Sequence, residues 1–141
     1  MTTSIGKFRK SMSIFLVKLR EWANRNQLKE LDKFELKYDM GMKVNPRSSL
    51  EFFVESIAPY ADHILLGDDT YFLTQHIDVE DEYNVLSEQL KLWWPDLEDS
   101  QKNYIKNQFK LLLMLGAIAI QNEELICVIN KYRDPSNQLV Y

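Results

Sequence analysis

Several ingredients are scarce in this 141-residue chain. It has one cysteine, two histidines, four glycines and four prolines, and no apolar run longer than the ten residues Leu111–Ile120. A lone Cys127 excludes an intrachain disulfide, and its place in the run Leu125-Ile126-Cys127-Val128-Ile129 predicts a small buried hydrophobe in a reducing, intracellular compartment. His63, His76 and Cys127 are the only soft ligands, at spacings that match no zinc pattern, so no metal and no cofactor is expected. Gly6, Gly41, Gly67 and Gly116 are isolated, which leaves no phosphate-cradling or dinucleotide loop, and no Ser occupies a Gly-x-Ser-x-Gly turn. Ten apolar residues are about half of a bilayer span, so Leu111–Ile120 reads as a core helix.

Positive charge is also missing over a long stretch. Residues 50–101 hold one Lys against thirteen acids, residues 1–49 hold eleven Lys/Arg against five acids, and residues 102–141 hold five against three. A net charge of −4 and a pI near 5.2 therefore conceal local values of +6, −12 and +2. Charge sorted in this way bears on partners and assembly rather than on chemistry. Asp78-Val79-Glu80-Asp81-Glu82 lacks the ligand spacing and central Gly of a calcium loop and suits a helix start instead. Asp68-Asp69 reads as a turn; an acid–base role would need it to converge with His63 or His76. With no catalytic signature, a non-enzymatic protein is expected.

The length and 45% hydrophobic content fit a single domain over 1–141 with one core. The periodicity predicts an all-α bundle of five to six helices. Ile5, Phe8, Met12, Phe15, Leu19 and Trp22 recur at spacings of 3 and 4, placing a helix over Ser4–Ala23. A neighbouring antiparallel helix carries Leu28, Leu31, Phe34, Leu36 and Tyr38 and ends near Gly41, so that basic helices fill 4–41. The acidic middle, 49–95, begins with a helix from Ser49, capped by Ser48 and Glu51, with Leu50, Phe53, Val54, Ile57, Tyr60, Ile64 and Leu65 inward and a kink at Pro59. After Gly67 a turn carries Tyr71, Phe72 and Leu73. Asp78 then caps a helix with Val79, Tyr83, Leu86, Leu90 and Trp93 or Trp94 inward, stopped by Pro95. A core helix over 100–120, capped by Asp96 or Asp99, precedes the C-terminal segment 122–141. That segment is either a helix from Asn122 to Arg133 or a β-hairpin pairing Leu125–Ile129 with Leu139-Val140-Tyr141.

Two features nominate binding residues. The first helix carries Lys7, Arg9, Lys10, Lys18 and Arg20 mostly outside its apolar stripe, the first of them toward its N-terminal end, where the dipole disfavours positive charge. These side chains either cover a solvated face or meet phosphate or an acidic partner. Residues 1–20 also contain no acid and five Ser/Thr, the composition of a mitochondrial presequence, although the pattern continues into a helix integral to the fold. Trp93-Trp94-Pro95 sets two indoles side by side: both pack inside, or one is an aromatic anchor at an interface. Opposite charges on one small body also suit head-to-tail self-association into a ring or filament. Nucleic acid is the alternative partner, although the low pI and the lack of a binding motif argue against it.

Phe8-Arg9-Lys10 leading into Phe15-Leu16, the segment Phe52-Phe53-x-x-x-Ile57-x-Pro59-Tyr60 with Ile64 and Asp68-Asp69-x-Tyr71-Phe72, then Leu92-Trp93 and Leu111–Gly116 together resemble small helical proteins encoded by large nucleocytoplasmic DNA viruses of algae and protists. The resemblance covers about residues 8–116 and omits the tail and Trp94-Pro95. It implies a viral origin and an accessory or virion role, in the particle or the infected cell, and assigns no residue a function.

Overall fold

The computed structural model describes residues 3–69 and 84–132, where every regular element is helical. In chain order these are α1 (Ser4–Trp22), α2 (Arg25–Val44), α3 (Pro46–Ile57), a 3-10 turn (Ala58–Tyr60), α4 (Ala61–Leu66), α5 (Asn84–Trp93), a second 3-10 turn (Trp94–Asp96), α6 (Asp99–Ala119) and α7 (Glu123–Lys131). The expected cap at Asp78, the acids Glu80–Glu82, the turn Tyr71–Leu73, His76, and the strand 139–141 lie outside the described residues. No described helix is long and apolar enough to cross a membrane.

Local chemistry sets the helix ends. Thr3 Oγ1 accepts from the Gly6 N–H at 2.9 Å to start α1, and Asn24 and Gln27 satisfy each other's backbone N–H groups at the start of α2. Neither the end of α2 nor the start of α3 falls where the residue pattern placed it. Gly41 remains helical, and α2 runs on to Val44 because the chain must leave the helical region at Asn45, the residue before Pro46. Pro46 then occupies the first position of α3, where its missing N–H costs nothing, and Asn45 Oδ1 accepts from Ser48 N at 3.1 Å. Asn45 is thus the cap, and Glu51 pairs with Arg47 instead of closing a box with Ser48. Pro59 converts one turn to 3-10 geometry, and α4 closes at Gly67, whose φ of 76° is the left-handed conformation glycine adopts without strain.

One apolar cluster holds the helices together. From α1 come Phe8, Met12, Phe15, Leu16 and Leu19, with Ile5 and Trp22 half-buried at its ends. α6 lies antiparallel along α1: Phe8 faces Gly116, Phe15 meets the Phe109 ring edge-on at 5.8 Å, and Trp22 meets Tyr104 at 5.5 Å. α3 crosses both helices and sets Phe53 edge-on to Phe8 at 5.3 Å. α2 buries Leu31, Phe34, Tyr38 and Met42, whereas Leu36 is 62% exposed because two residues rotate it about 200° from Phe34. α5 packs on α2 through a face that includes Leu90 and Trp93.

Segment 125–129 is helical, which removes the hairpin alternative there. Asn122 Oδ1 caps α7 at Leu125 N, 3.0 Å away, and Leu125 and Ile129 point inward. Cys127 lies between them on the outer face and is exposed, contrary to the expectation of burial: in a 3.6-residue period, position i+2 faces away from i and i+4. Asn45 serves two helices, since its N–H also donates to Gly41 O at 2.9 Å. Replacing Asn45 with Ala should therefore cost about 1 kcal/mol in denaturant unfolding while Asn45→Asp costs less, because the cap needs only a side-chain oxygen.

Candidate partner-binding surface

The five basic side chains of α1 divide into two groups. Arg20 points toward α2, where its guanidinium bridges Asp32 at 2.7 Å and Glu35. Hydrogen bonds to Asp32 and then Glu35 hold its pKa above the ordinary value, so this charge serves to tie α1 to α2. Lys18 pairs with Glu21 at 3.3 Å and lies 5.9 Å from the centre of the Trp22 ring. Lys7, Arg9 and Lys10 are exposed and form no ion pair among the described residues. No acid occupies the first turn of α1 to offset them. The basic surface therefore contracts from five residues to three at the N-terminal half of the helix.

The indole pair leaves the surface set. Trp93 and Trp94 are 6% and 2% exposed, so neither ring is available as an anchor. Pro95 turns the chain into a 3-10 helix directly after α5, which folds both rings inward. Trp94 Nε1 donates to Asp69 Oδ2 at 3.2 Å, Lys106 Nζ donates to Asp69 Oδ1 at 2.9 Å, and Lys102 Nζ lies 5.9 Å from the centre of the Trp94 ring. Asp69 consequently joins the chain beyond α4 to the α5–α6 junction, and it is partnered by structural groups rather than by a histidine. Its neighbour Asp68 sits 3.2 Å from His63 Nδ1. Among the described residues no cluster of His, Cys, Asp and Glu could hold a metal.

A second stripe on α1 went unread in the sequence. Lys7, Lys10, Ile14 and Val17 follow one another at spacings of 3, 4 and 3, the helical rule that defines the buried stripe, but on the outward side. Ile14 and Val17 are 52% and 58% exposed. Where this stripe borders α6 the surface sinks into a hollow of about 300 Å³, with Ile14, Leu111 and Leu115 as apolar lining and Lys7 and Lys10 at its edge. Ser11 also lines it; its Oγ is buried with no hydrogen-bond partner among the described residues.

Acidic groups gather elsewhere. Glu55, Asp62 and Glu124 surround a hollow of about 400 Å³ between the α3–α4 bend and α7, over Ala58, Pro59, Leu125 and Val128. Tyr132 donates to Asp62 Oδ1 at 2.9 Å, and this bond to the carboxylate raises the phenol's pKa. Glu55 and Asp62 come from the acidic middle; Glu124 reaches them only through the tertiary fold.

The Asp69 junction has a pH signature. The Lys106 hydrogen bond, assisted by Trp94, holds the carboxyl below its ordinary value. Asp69 thus binds its proton less readily when folded than when unfolded, and its stabilisation is complete above the ordinary carboxylate value and lost as pH falls through the lowered one. Asp69→Asn should cost about 1 kcal/mol near pH 7 in Trp-fluorescence unfolding, and the difference from the native chain should shrink as the pH falls below the ordinary carboxylate range.

Comparison with protein-family models, curated proteins and solved structures finds no match.

Proposed function

We propose that this is a non-enzymatic interaction protein that binds an anionic protein partner through the outward face of α1. The observation that carries the reading is the contrast within that helix: Arg20 and Lys18 have acidic partners, while Lys7, Arg9 and Lys10 have none among the described residues. Three cations beside the positive end of a helix dipole, with no acid in the first turn, constitute a standing field that an anion relieves. α1 is fixed by its buried stripe, so the partner meets a preformed surface and loses little affinity to ordering. The resemblance to small viral helical proteins supports placing this contact within a larger assembly, as an accessory or virion component.

Both charged hollows are concave, so neither fills the other; this favours a foreign partner over head-to-tail pairing of copies. Nucleic acid is the weaker alternative. With three available cations the salt dependence of binding to duplex DNA would have a slope of only about −2.7 in log K against log salt, and no recognised nucleic-acid-binding motif accompanies them.

The test uses poly-glutamate and duplex DNA as probes at low salt. The Lys7→Gln/Arg9→Gln/Lys10→Gln variant should bind poly-glutamate at least about tenfold more weakly than the native chain, and Lys18→Gln should change binding by less than about twofold. Unchanged poly-glutamate binding in the triple variant, or none by the native chain, contradicts the proposal; tighter binding to DNA than to poly-glutamate transfers it to nucleic acid.

A further inference from the structure

The hollow between α1 and α6 is more than a rim of charge. Lys7, Lys10, Ser11 and Ile14 line it from α1 and Gln108, Leu111 and Leu115 from α6, the two sets running in opposite directions because the helices are antiparallel. Apolar surface continues beyond it. Val17 lies one turn past Ile14, and Ile118, 45% exposed, lies one turn past Leu115. Among the described residues no carboxylate lines the hollow, and neither lysine at its edge has an ion pair. Ser11, only 7% exposed, lies in its floor, its hydroxyl buried and without a hydrogen-bond partner among the described residues.

These features together specify an occupant. A lysine-edged hollow calls for carboxylates or phosphates, and an apolar lining calls for apolar side chains presented beside them. Nucleic acid offers no apolar side chains to Ile14, Leu111 and Leu115. A bilayer is contacted best by side chains that project, whereas Leu111 and Leu115 are half-buried in the angle between two helices. Two adjacent helices with an apolar hollow between them suit a third helix, laid in through side chains at i, i+3, i+4 and i+7. From Lys7 to Val17 the stripe is about 15 Å long, three turns of such a helix.

We propose that the α1–α6 hollow seats the apolar face of an acidic amphipathic helix of a partner protein, with acidic side chains beside that face pairing with Lys7 and Lys10. The proposal rests on the anionic-partner reading for its two lysines and adds the apolar lining, the helical form of the ligand and the exclusion of Arg9, which lies across α1 from the hollow. A free peptide of three or four turns is barely helical in water, so it acquires its helix on binding.

The closing experiment uses the full-length chain and a labelled acidic peptide of about 14 residues with Leu at i, i+3, i+4 and i+7. A scrambled peptide of identical composition, poly-glutamate, and vesicles of phosphatidylglycerol and phosphatidylcholine serve as comparisons. The patterned peptide should bind at least about tenfold more tightly than the scrambled one and gain helical circular dichroism on binding. Ile14→Gln, at a half-exposed site the fold tolerates, should remove about tenfold of that affinity and leave poly-glutamate binding unchanged; Leu115→Gln should act likewise. Equal binding of the two peptides, or no effect of either substitution, overturns the helical occupant while leaving the anionic reading standing. Tighter binding to vesicles than to the patterned peptide overturns it in favour of a lipid surface. Loss of poly-glutamate binding by the native chain removes both readings.

Discussion

The meeting of three helices at Gly116 is the contact on which the rest of this structure depends. A glycine within the apolar stretch of α6 costs about 1 kcal/mol of helix propensity relative to alanine. What it allows is proximity: a Cβ at this position would come within 2.5 Å of Val54 Cγ2 on α3 and 3.5 Å of the Phe8 ring on α1. With the side chain absent, Val54 of α3 settles directly against α6, Phe8 of α1 keeps ordinary contact beside it, and Phe8 and Phe53 meet edge-on.

Once α1 is seated, the distribution of charge follows. Arg20, at its far end, closes on Asp32 and Glu35 of α2, and Arg47, at the start of α3, donates both to Glu51 and to Ile120 O at the end of α6. Asp69 does the same for the chain beyond α4 by holding Lys106 and Trp94. Arg20, which looks in the sequence like a binding group, therefore fastens one element to another, as Arg47 and Asp69 do. Lys7, Arg9 and Lys10 are different because the packing of α1 brings no acid to them among the described residues. The functional reading rests on that difference.

Helical character was the most legible part of the chain. The stripe from Ile5 to Trp22 specified α1 because apolar residues at spacings of 3 and 4 can be buried together only in a helix, and the same rule located the faces of α3 and α6. It was less decisive in α2, where Leu36 and Gly41 suggested a different face and an earlier end; burial of Met42 and the restriction imposed by Pro46 decided both. Cys127 was misplaced because a continuous apolar run on a short surface helix includes residues that face out. Of the candidate binding surface, Lys7, Arg9 and Lys10 were visible in the sequence, but not separable there from Lys18, Arg20, Trp93 and Trp94. The stripe formed by Lys7, Lys10, Ile14 and Val17 was equally periodic yet passed unread, since apolar residues are taken for core until the core is seen to be complete without them. The α6 half of the hollow and the gathering of Glu55, Asp62 and Glu124 depend on contacts remote in sequence, which no local pattern carries.

The central claim is that α3 reaches α6 so closely at Gly116 that a Cβ there would collide with Val54, and a double-mutant cycle on Gly116→Ala and Val54→Ala tests it most directly. Each substitution alone should destabilise the protein in denaturant unfolding, the first by overpacking and the second by leaving a cavity. Together they should cost at least about 1 kcal/mol less than the sum of the two, because the methyl added at Gly116 enters the space vacated at Val54. Additive costs would show that the helices do not meet at this residue and would contradict the account.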